Sequence, residues 1–146
     1  MSQPVVHYVT PAVRIFLGLL FVVFGLNGFF GFLPAPPHSG EAGHFIGALV
    51  RTGYLLQVVK GLEVAMGLLL LANRFVPAAL AVLAPIVFNI VAFHFLLAPP
   101  NAVTFVVLIA HGWLMWSHRA SFAPLFGRGE SISSGPSRAG ATTAAS

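Results

Sequence analysis

Seven polar side chains stand in stretches of this sequence that are otherwise apolar: Asn27, Gln57, Lys60, Glu63, Asn89, His94 and His111. Their types define a short menu of chemistry. Lys60, Asn27, Asn89 and His111 can donate hydrogen bonds to a ligand oxygen, and Glu63 can relay a proton. Lys60 and Glu63 stand three apart, a spacing that lets opposite charges pair on one helix face. In a membrane helix a central charge costs roughly 2.5–3.5 kcal/mol, and each Leu or Val returns only about 0.3–0.6 kcal/mol. The stretch Tyr54–Ala72 sets two such charges against ten Leu and Val residues. It inserts near break-even, so both charges must face protein or water rather than lipid.

Each residue also has a structural explanation. The Lys60–Glu63 pair could simply fix helix register. Asn27 and Asn89 could serve as interhelical hydrogen-bond glue, worth about 0.6–2 kcal/mol in a membrane. His94 could reach towards the interface, and His111 could be a satisfied core histidine. Arg14, at the start of the first apolar run, is expected to meet lipid headgroups.

Other chemistries are excluded or disfavoured by composition. With no cysteine, the chain forms no disulfide, thiolate metal site, iron–sulfur cluster or thiol relay. Glu63 is the only acid within an apolar run, so no metal site is expected. His94 and His111 are offset by about 8 Å in helical depth, which argues against a shared haem. Ser117 and Ser121 lie away from the other polar groups and there is no Asp, so hydrolytic catalysis has no machinery. The pI near 10.8 rests on seven scattered Lys and Arg residues against three acids. No basic face exists for nucleic acid.

The elements that must position these residues are helices in a membrane. Hydrophobic residues make up 58% of the chain and charged residues 7%, and the mean hydropathy is +0.92. A soluble domain carries nearer 25% charged residues. Four apolar runs predict an all-α, integral membrane four-helix bundle: about 12–33, 54–72, 75–98 and 102–118. Pro34-Ala-Pro-Pro37, Asn73-Arg74 and Pro99-Pro100-Asn101 punctuate them. Residues 41–53 have a short amphipathic pattern suited to the interface. Residues 1–126 form the membrane domain, and 127–146, rich in Gly, Ser, Ala and Thr, is expected to be disordered. The N-terminus lacks the basic start of a secretory signal.

Arg14, Arg74, Arg119, Arg128 and Arg138 fall on one side of four crossings and Arg51 alone on the other. Both termini are therefore predicted to be cytoplasmic. Trp113 and Trp116 suit an interfacial belt. Gly18, Gly25 and Gly28, then Gly61 with Ala65, then Ala78, Ala81 and Ala84 are candidates for close helix contact. Pro85 should free the carbonyl of Ala81 and kink its helix.

Depth follows from the rise of 1.5 Å per residue. Counted from the predicted non-cytoplasmic ends, Asn27 and Lys60 lie about 9 Å down, and Glu63, Asn89 and His111 about 14 Å. Gln57 and His94 lie at roughly 5–6 Å. The four runs thus place polar groups in shared layers of one half of the bundle, and leave the other half apolar.

Three segments carry a family resemblance. Arg14-Ile-Phe-Leu-Gly-Leu-Leu-Phe-Val-Val-Phe-Gly-Leu-Asn-Gly28, Lys60-Gly-Leu-Glu-Val-Ala-Met-Gly-Leu-Leu-Leu-Leu71 and Pro85-Ile-Val-Phe-Asn-Ile-Val-Ala-Phe-His-Phe95 resemble DoxX-like membrane proteins. The resemblance covers about residues 12–118. It implies a four-helix, multi-pass protein of the bacterial cytoplasmic (inner) membrane. It also implies a link to quinone-coupled oxidoreduction, since named relatives include a subunit associated with thiosulfate:quinone oxidoreductase. The missing cysteines put autonomous sulfur chemistry in doubt.

Three functions then compete. The first is an accessory subunit of a redox complex, holding a quinone headgroup in a polar intramembrane pocket of the seven residues. The second is a non-enzymatic structural or assembly protein, and the third a small transporter, which would need a dimer to alternate access. The partners implied are the lipid bilayer, membrane or redox proteins, and a second copy of the chain.

Overall fold

The computed structural model describes residues 3–34 and 38–126, so the expected disordered tail lies outside the described residues. Among those described the chain is all-helical. The first helix, α1 (Gln3–Phe30), starts well before residue 12 because the apolar pattern continues back through Val9, Val6 and Val5. Its end is built by Asn27 and Gly31. The Gly31 amide donates to the Asn27 carbonyl at 2.8 Å, and the Leu33 amide donates to Asn27 Oδ1 at 2.6 Å. Gly31 has φ +61°, the left-handed conformation that closes a helix.

Helix α2 (Gly40–Arg51) is amphipathic. Ala42 is buried and Phe45, Ile46 and Leu49 are half-buried, a spacing that makes one face, while Glu41, His44 and Arg51 are exposed. Thr52 ends it by donating to the Leu49 carbonyl at 2.6 Å and accepting from the Leu55 amide at 3.1 Å. The chain then turns 89° into α3 (Leu55–Leu71). Such a bend places α2 across the end of the other helices rather than along them.

After a reversal in which Asn73 takes φ 54°, α4 (Val76–Leu96) runs back. Helix α5 (Ala102–Ser117) follows, capped by Asn101, whose side chain accepts from the Thr104 amide at 3.0 Å. A short α6 (Arg119–Phe126) was not foreseen. Tyr8–Phe30 and Val76–Leu96 are long and apolar enough to cross a membrane, and the bent pair α2–α3 makes a third if it is taken as one span. Helix α5 is apolar but shorter.

Helices α1, α3, α4 and α5 pack in a closed cycle, each against the next and α5 back against α1. The α1–α3 contact is the tightest. A methyl added to Gly67 would sit 2.9 Å from the Gly18 carbonyl, and one on Gly25 only 2.7 Å from Val64. Gly67, not Gly61, is therefore the glycine of α3 in the contact: a methyl on Gly61 meets nothing within 4 Å. Of the alanines named from sequence in α4, Ala78 and Ala81 are exposed and Ala84 is half-buried, while Ala79, not named there, is buried.

The apolar core fills the half of the structure nearer α6, around Leu17, Phe21, Leu70, Leu80, Leu83 and Leu114. Large apolar side chains also cover the outside. Ile109 is 69% exposed and Phe88 75%, a surface suited to lipid. Arg14 differs from expectation. It is half-buried, and its guanidinium donates to the carbonyls of Leu70 and Leu71 at the C-terminal end of α3. A cation there adds donors to the last carbonyls of α3, of which Leu70's also accepts from the Asn73 amide, and opposes the negative end of the helix dipole.

Candidate ligand-binding cavity

In the half nearer α2, the helices surround a cavity of about 750 Å³. Residues of α1 to α5 line it, with the face of α2 that carries Phe45, Ile46 and Leu49 closing one side. The wall is largely apolar, with Phe21, Phe24, Val59, Ile86 and Phe93 among its members. Set into it are Asn27, His38, Lys60, Glu63, Asn89, His94, Asn101 and Thr104. A cavity of a few hundred Å³, mainly apolar with a few fixed polar groups, is the usual form of a small-molecule site.

The charged pair is closed on itself. Lys60 Nζ donates to both oxygens of Glu63, at 3.0 and 2.8 Å. The Glu63 side chain is 3% exposed and that of Lys60 24%. Glycine in α1 makes room for this arrangement, since a methyl on Gly28 would collide with the methylenes of Lys60. The pair contributes no net charge to the cavity, while the ammonium keeps a third N–H to donate.

The amides differ. Asn27 spends Oδ1 on the Leu33 amide, leaving its N–H groups as donors. Asn89 lines the cavity with no side-chain hydrogen bond among the described residues.

His94 is fully occupied. Its Nδ1 lies 2.9 Å from the Ile90 carbonyl and its Nε2 2.9 Å from Asn101 Nδ2. A carbonyl only accepts, so Nδ1 carries the proton and Nε2 accepts from the amide. Asn101 Oδ1 then accepts from the amide and the hydroxyl of Thr104, at 3.0 and 3.1 Å. This run of bonds fastens the end of α4 to the start of α5 and fixes the His94 tautomer.

Gln57 and His111 stand apart from the cavity. Gln57, three residues before Lys60 on α3, is exposed and does not line the cavity. His111 is buried, and its Nε2 donates to the Leu80 carbonyl at 3.0 Å. Leu80 is about 14 Å before Asn89 along α4, so His111 does not share the layer that depth counting gave it. It sits next to the stretch where Pro85 deprives Ala81 of a partner, and ties α5 to that weakened part of α4.

His38, Asn101 and Thr104 are lining residues that the sequence reading missed. Asn101 followed by Thr104 carried a legible helix-start signal. His38, in a connecting segment after three prolines, carried none. Among the described residues, no three His or Glu side chains gather as a metal site requires.

No family model, curated protein or solved structure matches this chain.

Proposed function

We propose that the chain is a multi-pass protein of the bacterial cytoplasmic membrane whose cavity holds the headgroup of a membrane quinone, as an accessory subunit of a redox complex of the DoxX-like kind. In this reading α1, α3, α4 and α5 cross the membrane as a four-helix bundle with both termini in the cytoplasm. Helix α2 lies along the opposite interface, consistent with its 89° angle to α3 and its single apolar face. The cavity then opens in the half of the bilayer next to α2.

The observation that carries the proposal is the cavity's chemistry. The Lys60–Glu63 pair cancels its own charge, which disfavours an anionic lipid or fatty acid, for which a lone cation would be needed. The groups left over include donors: the third Lys60 N–H, the Asn27 N–H groups and the N–H groups of the Asn89 amide. They suit a neutral headgroup that bears carbonyl oxygens, with an apolar wall for its ring and an apolar exterior for its chain. A bound quinone would supply the electron- and proton-accepting chemistry that this cysteine-free chain lacks. The chain's own part is to bind the head, orient its oxygens and exclude water.

Purification in a mild detergent followed by solvent extraction and mass spectrometry tests this. A quinone recovered at near-stoichiometric amount is the expected result. Its absence, with no rise in melting temperature on adding a short-chain quinone analogue, would reject the proposal.

A structural role has one specific observation in its favour. The Lys60 stem packs where Gly28 of α1 leaves room, and Glu63 on the same helix as Lys60 holds its ammonium, so the pair also fixes how α3 seats on α1. Were that its whole purpose, an apolar pair of similar shape would preserve function.

A further inference from the structure

His38 stands at the edge of the cavity just before α2, outside every apolar run of the sequence. Its ring meets Phe93 edge-on, with centroids 5.4 Å apart and planes at 87°. Phe45 of α2 meets the same Phe93 ring, with centroids 5.8 Å apart and planes at 35°. The three rings join α2, the segment before it and α4 into one aromatic wall. Neither nitrogen of His38 has a hydrogen-bond partner among the described residues. His94, the other cavity histidine, has both nitrogens committed.

The backbone of His38 is also held in place. A methyl on Gly43 would lie 2.5 Å from the His38 carbonyl oxygen. No side chain fits there without moving the segment, so the first turn of α2 fixes where His38 stands.

We infer that His38 is the second headgroup ligand of the cavity: an imidazole donor at its mouth that binds one carbonyl oxygen of a neutral ring while the groups near Lys60 take the other. This rests on the quinone reading and adds to it the residue that distinguishes a ring with carbonyl oxygens from a plain aromatic ring. Phe93 holds the imidazole edge-on, and α2 carries it over the cavity.

The test uses the full-length protein in detergent and two probes, decyl-benzoquinone and decylbenzene, which share a chain and ring and differ in the carbonyl oxygens. Wild type should bind the quinone more tightly than the hydrocarbon. His38→Phe keeps the ring packing on Phe93 and removes both nitrogens. It should weaken quinone binding about three- to tenfold, the worth of one hydrogen bond, and leave decylbenzene affinity unchanged. Gly43→Ala, which moves the backbone of His38, should shift the ratio in the same direction. His44→Gln, on the exposed face of α2, should not. Equal preference for the quinone in wild type and His38→Phe would overturn this assignment and leave the cavity reading standing. Wild type binding both probes alike would overturn the two together.

Discussion

Deleting one member of the Lys60–Glu63 pair and deleting both are different experiments in free energy. Glu63 is 3% exposed and receives both of its hydrogen bonds from Lys60. Lys60→Met keeps the stem that packs beside Gly28 but leaves a buried carboxylate alone, at a cost of about 3–5 kcal/mol. Lys60→Met with Glu63→Leu removes the charges together and should be near neutral or mildly stabilising. Thermal midpoints of the two variants in detergent should therefore fall on opposite sides of a wide gap, the single well below wild type and the double close to it. Equal losses in both would show that the pair's net contribution is itself large. The pair was legible in sequence because two charges in an apolar run are conspicuous. The roles of its neighbours were not. Gln57 precedes Lys60 by three residues yet is exposed, and His94 looked available although Ile90 and Asn101 occupy both its nitrogens.

At the scale of the element, apolar runs and their Pro, Gly and Asn punctuation located the helices, because length and hydropathy are one-dimensional properties. Which face of each helix meets a neighbour is not. Gly61 and Gly67 are equivalent by composition, but only Gly67 opposes a backbone, that of Gly18. Gly67→Leu should force α1 and α3 apart and lower stability by about 1–3 kcal/mol or more, since the obstacle is a carbonyl rather than a flexible side chain. Gly61→Leu should change it little. A comparison of thermal midpoints for the two variants decides this, and a larger loss at Gly61 would contradict the α1–α3 packing described. The bend between α2 and α3 was equally hidden. Thr52 and Gly53 mark a stop, but nothing local announces the 89° angle that goes with the apolar face of α2 lining the cavity.

For the whole molecule, the sequence made the apolar exterior and the concentration of polar groups towards one end legible. It did not reveal the cavity, because the cavity is made by residues of five helices that only the fold brings together. Its position relative to the bilayer gives a direct topological prediction. The natural chain has no cysteine, so single introduced cysteines report cleanly. In intact cells Ser39→Cys, beside α2, should react with a membrane-impermeant maleimide, and Asn73→Cys, in the α3–α4 turn, only after lysis. The reverse pattern would invert the proposed orientation. The central claim is that the polar cavity holds a quinone headgroup and is more than a fastener. It is tested most directly by titrating a short-chain quinone analogue against the thermal midpoint of wild type and of the Lys60→Met, Glu63→Leu double variant. At a hundredfold excess over Kd, binding stabilises the folded form by about 2.7 kcal/mol. The expected result is a saturable rise in wild type that is lost in an equally well-folded double variant. The same rise in both proteins, or none in wild type, would contradict it.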